Sequence, residues 1–295
     1  MSRRGSPLAL VAVMLLPAAG LLLVFSYLPA LVGLYRAFTH WETGEAPRWA
    51  GLANFAAMSH DEFLGISIGN QVLLLLAGLA RTLLVPLAVA ELLSQLRSHR
   101  WQYALRTAFT LPMVVPGMVT MLLWSFIYDG SVGLLNQLLE LAGAGALTRS
   151  WLGEPRTALL AIVGVGFPWA GGLALLIYLA GINGIAPDVH DSGALDGATG
   201  WRRVLHIDVP LLQPQVRLLA TLTIIGSLQD FGSILILTAG GPGLATHVPA
   251  LHMYFQAFRF GHMGYAAAIG LALFGVIFAL SVANMRWGRE RGAAG

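Results

Sequence analysis

DSGALDGATGWRRVLHIDVPLLQP, residues 191–214, is a polar stretch between two apolar ones, and its reading decides the architecture. Pro187, just upstream, suits the first turn of a short helix, with Asp188 and Asp191 near its positive N-terminal end. Ser192, Gly193, Ala194, Gly197 and Ala198 make that helix small-sided, so another surface can approach its backbone closely. Gly197 and Gly200 permit a turn, because glycine enters positive φ without steric cost. Residues 201–207, opening on Trp201 and closing on Ile207, read as a second short helix. Pro210 and Pro214 frame the entry to the next apolar span. By composition the segment is either an ordinary loop or a knob shaped for a socket in a partner.

Outward from this loop, the chain is membrane-like. Of its 295 residues 57% are hydrophobic and 11% charged, and mean hydropathy is +0.72. Residues 7–35, 107–128, 157–187 and 263–285 contain no Asp, Glu, Lys or Arg. Each stretch has at least the roughly 20 residues that a helix needs to cross a hydrocarbon core of about 30 Å. Two further apolar stretches, 66–93 and 215–238, are interrupted by Arg81 and Asp230. In lipid the backbone must satisfy its own hydrogen bonds, so these stretches read as helices. The expectation is an all-α polytopic membrane protein, one permease-like domain over 1–295. Its six spans are expected at 8–35, 66–93, 104–128, 158–182, 215–238 and 263–285, with a loop at 187–214.

The basic residues orient the chain. All 17 are arginines. Six spans put both termini on one side. That side carries eleven: Arg3, Arg4, Arg97, Arg100, Arg106, Arg202, Arg203, Arg217, Arg286, Arg289 and Arg291. The other side carries five: Arg36, Arg48, Arg149, Arg156 and Arg259. The positive-inside rule then places both termini and the 187–214 loop in the cytoplasm. This bias also accounts for the net charge of +3, so no nucleic-acid partner is implied. The first apolar stretch is too long for a signal-peptide core and is expected to be a retained helix. Without cysteine the chain has no disulfides, thiolate metal sites or cysteine nucleophiles. Without lysine it cannot form a P-loop, GxxxxGK[ST], or a Schiff base.

Several residues invite a chemical reading. Gln229 and Asp230 lie in the fifth span, where a charge is costly and usually faces a bundle interior or a wet cavity. They are candidates to line the path of a polyol; the alternative is that Asp230 is a structural partner for Arg81. Trp124 and Tyr128, at the outer end of the third span, could stack on sugar faces or anchor the interface. Leu134, Leu135, Leu138 and Leu139 form an amphipathic stretch suited to the membrane surface. His190 and His206 are expected on the loop surface, with no metal. Gly65-Ile66-Ser67-Ile68-Gly69 fits the G-x-S-x-G nucleophile pattern. That elbow needs a strand before it and a helix after it, and here it enters a span. An intramembrane serine protease using His247, His252 or His262 is therefore the rival from another class.

The central loop resembles the EAA loop of ABC importer permeases: Glu-Ala-Ala, three residues, Gly, nine residues, Ile, one residue, Leu-Pro. Here Asp191-Ser192-Gly193 occupies the triplet, Gly197 follows at the right spacing, then Ile207, and Val209-Pro210 closes the pattern. Asp196-Gly197-Ala198 with Trp201 resembles the carbohydrate-uptake branch. So do Gly133-Leu134-Leu135-Asn136, Trp151-Leu152-Gly153, Gln229-Asp230-Phe231, Thr238-Ala239-Gly240-Gly241-Pro242 and residues 260–266. The whole resembles the maltose- or glycerol-phosphate-type first permease subunit. The resemblance implies a type I importer in a bacterial or archaeal inner membrane. Its partners would be a second permease, two ATPase subunits that use ATP and magnesium, an extracytoplasmic solute-binding protein and membrane lipid. The permease itself would bind no cofactor and would not be an enzyme. Asp191, Ser192, Gly193, Asp196, Gly197, Ala198, Trp201, Ile207 and Pro210 would couple it to an ATPase. The alternatives are the same architecture for another solute, such as a polyamine or inorganic anion, and a secondary transporter.

Overall fold

The computed structural model describes residues 7–168 and 171–292. The chain opens with α1 (Pro7–Leu22), a π-turn at Leu23–Tyr27 and α2 (Leu28–Arg36). A two-stranded antiparallel hairpin follows, β1 (Thr39–His40) and β2 (Arg48–Trp49), with Thr39 opposite Trp49. Then come α3 (Ala53–Met58) and α4 (Glu62–Ser94), which is 33 residues long. α5 (His99–Thr110) turns through Leu111–Val114 into α6 (Gly117–Ile127). α7 (Leu134–Leu141), α8 (Pro155–Gly164) and α9 (Gly172–Asn183) lead to the central loop. That loop is α10 (Pro187–Leu195), α11 (Trp201–Arg203), a π-turn at Val204–Asp208 and α12 (Val209–Leu211). The chain ends with α13 (Gln213–Gln229), α14 (Gly232–Leu237), α15 (Pro249–Phe258) and α16 (Met263–Gly292).

Three helices are long and apolar enough to cross a membrane, and up to six spans result if each sharply bent helix pair counts as one. The stretches expected at 8–35, 66–93 and 263–285 are continuous helix. The other three are broken. Pro112 and Pro116 bend the third by 97°, since proline removes a donor and clashes with the preceding turn. The fourth is interrupted after Gly164, and helix resumes at Gly172. The fifth is interrupted at Asp230, whose backbone is extended.

By contacts the chain divides into two compact units, residues 1–61 with 253–274 and residues 62–252 with 275–295. In the first, side chains satisfy the irregular backbone. The Asn54 amide donates to the carbonyls of Ala37 (2.8 Å) and Thr39 (3.0 Å). Thr43 and Gly264 donate their N–H groups to the carbonyls of Gly261 and Trp41. The Tyr265 hydroxyl donates to Asp61 at 2.6 Å.

In the second unit α4 is the spine, packed against α5, α8, α9 and α13. One core joins Ala90 and Leu93 to Ala174, Leu175, Tyr178, Leu179, Ile182, Leu212 and Leu219. A second holds Tyr128, Ala161, Val165 and Leu237. Small residues set these distances, as is usual where helices pack in lipid without a hydrophobic driving force. A methyl group on Gly181 would fall 2.9 Å from the Gln215 amide, so α9 lies directly on the start of α13.

Candidate functional site

α10 begins on Pro187 and ends in a Schellman cap. The Ala198 N–H donates to the Gly193 carbonyl (2.8 Å) and the Gly197 N–H to the Ala194 carbonyl (3.1 Å). Gly197 holds φ at +77°, the left-handed value this cap requires at its glycine. Gly200 is also at positive φ, +53°, and starts the segment that opens with Trp201. Gly193 is buried and has no room for a side chain, because the Ile207 Cδ1 methyl lies where its Cβ would be. The small residue in the Asp191-Ser192-Gly193 triplet and the isoleucine fourteen positions later are thus one packing contact.

The rest of α10 stands clear. Asp191, Ser192, Asp196 and Gly197 are exposed, Ala198 is half-buried and Pro210 exposed. Leu195 is 90% exposed and Trp201 69%. Two large apolar side chains thus stand bare on a polar segment.

Beneath the knob lies a charged network that the loop spacing does not disclose. The Asp208 carboxylate is fully buried and accepts from Arg203 Nε at 2.9 Å, with His190 Nε2 at 2.8 Å on its other oxygen. Arg203 Nη2 donates to Glu91 Oε2 of α4 at 3.1 Å. His190, expected on the surface, is instead turned inward onto Asp208. His206 is exposed, its Nδ1 3.0 Å from the Arg202 carbonyl. The sequence does carry a signal for this network: Glu91 is an acid inside the apolar 66–93 stretch, as unexpected there as Arg81.

The broken helices build the second feature. Asp230 caps α14: it accepts the Ser233 N–H at 3.1 Å and the Ser233 hydroxyl. Arg81 closes the C-terminal end of α8, donating Nη1 to the carbonyls of Val163 (3.0 Å) and Val165 (2.5 Å). Each charge matches the dipole of the helix end it meets. They do not pair with each other, but both line a cavity of about 280 Å³ with Thr82, Thr223 and Ser227. Gln229 ends α13 outside that lining. Trp124 and Tyr128 pack with ring centroids 5.1 Å apart and planes tilted by 48° in the adjoining core, where Tyr128 is only 6% exposed. Of the four residues suggested for a solute path, the cavity therefore takes Asp230 alone.

Two other motif pieces meet. Asn136 donates to the Gly130 and Arg149 carbonyls and accepts the Trp151 indole N–H at 2.8 Å. Residues 133–136 and 151–153 thus build one turn. Ser67 is fully buried within α4 and donates to the Phe63 carbonyl at 2.6 Å. Helix, not strand, precedes it, so the nucleophile elbow is absent there.

Residues 83–286 match the family model described as binding-protein-dependent transport system inner membrane component. The chain belongs to this family. It is 32% identical to the probable ABC transporter permease protein YurN of Bacillus subtilis (strain 168), over 90% of this chain and 91% of that one. It is 28% identical to the trehalose/maltose transport system permease protein MalF of Thermococcus litoralis, over 94% and 93%. The fold matches a chain in the crystal structure of a bacterial ABC transporter involved in alginate import, at TM-score 0.83, 24% identity and 95% coverage of each chain. This permease is a multi-pass membrane transport component, and the matched segment runs from within α4 to within α16, taking in the central loop, the cavity's Asp230 and the network's four residues.

Proposed function

We propose that this permease moves a sugar or polyol inward as one subunit of an ATP-driven importer. The observation that carries the reading is the knob: a nine-residue helix with one buried residue, Gly193, and an almost bare Leu195 at its end. A cleft in an ATPase subunit is the partner such a knob fits. ATP is hydrolysed there with magnesium as cofactor, since a lysine-free chain has no P-loop of its own. A second permease completes the pathway, and a soluble binding protein delivers the solute at the outer face. The arginine bias supports cytoplasmic termini and a cytoplasmic α10.

The carbohydrate class is supported by relatives named for starch degradation products, trehalose/maltose and multiple sugars. The cavity between Arg81 and Asp230 suits a hydroxyl-rich solute, because its largely apolar lining carries a few polar groups, these two charges and the hydroxyls of Thr82, Thr223 and Ser227.

The test is tagged purification from native membranes, identification of the co-eluting chains, and uptake into proteoliposomes. Co-elution of a P-loop ATPase, with ATP-dependent uptake of a carbohydrate that requires the binding protein, supports the reading. Uptake driven by an ion gradient without ATP overturns it. ATP-driven uptake of a polyamine or anion would leave the architecture and replace the solute.

A further inference from the structure

Resting on the coupling reading, we infer that Glu91, Arg203 and Asp208 are positioning residues that tie the docking knob to α4, so that a push on α10 is delivered to the spine of the bundle. The geometry points to Arg203 as a two-ended bridge. Its Nε holds Asp208 at 2.9 Å and its Nη2 holds Glu91 at 3.1 Å. His190 brings α10 itself onto Asp208. Four elements of the loop and the spine therefore converge on one guanidinium and one carboxylate: α10, α11, the π-turn and α4.

Two facts make this a tie rather than a surface decoration. The carboxylates are 5% and 0% exposed, so neither can exchange its partner for water. Glu91 Oε1 has no hydrogen-bond partner, so Arg203 is what compensates that buried charge. Pulling the loop from α4 would strand it, which is strongly unfavourable. Leu212 also packs near Ala90 and Leu93, but apolar contact is non-directional and can slide. A planar fork between two carboxylates fixes direction as well as distance. Coupling between sites needs such a stiff, contiguous path.

Arg203→Lys tests the bridge with its charge kept, because a lysine is a point charge and cannot grip two carboxylates as the fork does. The protein is the complete complex in nanodiscs, with Thr82→Cys in the cavity as the sole thiol of this chain. The readout is the change in thiol reactivity towards a small maleimide on adding ATP, with ATP hydrolysis measured in parallel. The expected result is retained hydrolysis with the ATP-induced change in reactivity largely lost. An undiminished change in Arg203→Lys overturns the inference. A purely structural role would lower the yield of complex and leave the change per complex intact. If Arg203→Lys does not assemble, Glu91→Gln is read the same way; failure of both to assemble makes the network a folding element and also overturns the inference. If the unsubstituted complex shows no ATPase, or a Thr82→Cys complex that hydrolyses ATP as the unsubstituted one does shows no ATP-induced change, the coupling reading itself falls.

Discussion

Gly193 and Gly197 lie four positions apart and are glycines for different reasons. Gly193 is a matter of space, because the Ile207 methyl occupies the site of any Cβ. Gly197 has open space around it and is a matter of backbone, held at φ +77°. The variants should therefore part company. Gly193→Val should displace α10 from the π-turn and abolish ATPase co-purification, with partial recovery when Ile207→Ala is added. Gly197→Ala should cost about 1–2 kcal/mol, the usual penalty for a side chain in the left-handed region, and Gly197→Asn less. Gly197→Leu should uncouple uptake from ATP while leaving the spans folded. Thermal unfolding and pull-down yield separate these outcomes, and equal behaviour of Gly193→Val and Gly197→Ala would refute the distinction. Asp129 offers a residue-scale pH test. The N–H groups of Val132 and Ser131 and the Ser131 hydroxyl hold its carboxyl below the usual range. A depressed folded value means that the turn is favoured above the unfolded carboxyl's range and loses that support as pH falls through the lowered one. Amide exchange at Ser131 and Val132, corrected for intrinsic rate, should rise only in that acid window. In Asp129→Asn it should be fast at neutral pH.

At the scale of elements, the breaks in the fourth and fifth spans are sites where a charged side chain takes up backbone groups at a helix end. The clearest is α8, whose last carbonyls are taken up by Arg81 from the neighbouring spine. Arg81→Met should leave those carbonyls unpaired at membrane depth, where bare backbone polar groups are costly. With a hydrogen bond to a charged group worth about 1.5–3 kcal/mol, the purified complex should melt several degrees lower, and Arg81→Lys should recover part of the loss. An unchanged melting curve would mean that water or a neighbouring subunit serves the carbonyls instead. The same element shows where sequence reading succeeds and where it stops. Continuous helices at 66–93 and 263–285 follow from apolar length alone. The bend at Pro112 and Pro116 is legible in the prolines. Arg81 is legible as a misfit, but its partner is not, because Val163 and Val165 contribute backbone atoms and backbone carries no residue signature. The burial of Tyr128 is hidden from the sequence for a related reason. A tyrosine at a span end reads as interfacial, and only the packing of Ala161, Val165 and Leu237 around it shows that it is core. In the loop, Gly197 and Gly200 marked the turn, whereas the Gly193–Ile207 contact shows only in the packing and the Glu91–Arg203–Asp208 network joins residues 112 positions apart.

For the whole molecule the decisive quantity is sidedness, and the composition makes it directly measurable. Eleven arginines against five are the ground for the proposal that α10 lies inside and the β1–β2 hairpin outside. Each charge near the inner surface contributes about 1 kcal/mol of attraction to anionic lipid, so a six-charge difference is ample to orient the chain. No native cysteine competes with an introduced one. Trp49→Cys, at a site 67% exposed, should react with an impermeant maleimide in cells whose outer membrane is permeable or absent; Leu195→Cys, at a site 90% exposed, should not. In inverted vesicles the order should reverse, with one qualification that the coupling reading supplies. If α10 seats in an ATPase, Leu195→Cys should stay protected in inverted vesicles until the ATPase is stripped, and Trp49→Cys should be indifferent to that step. Labelling of Leu195→Cys from outside would refute the topology. Immediate labelling in unstripped inverted vesicles would keep the topology and move the docking face away from α10.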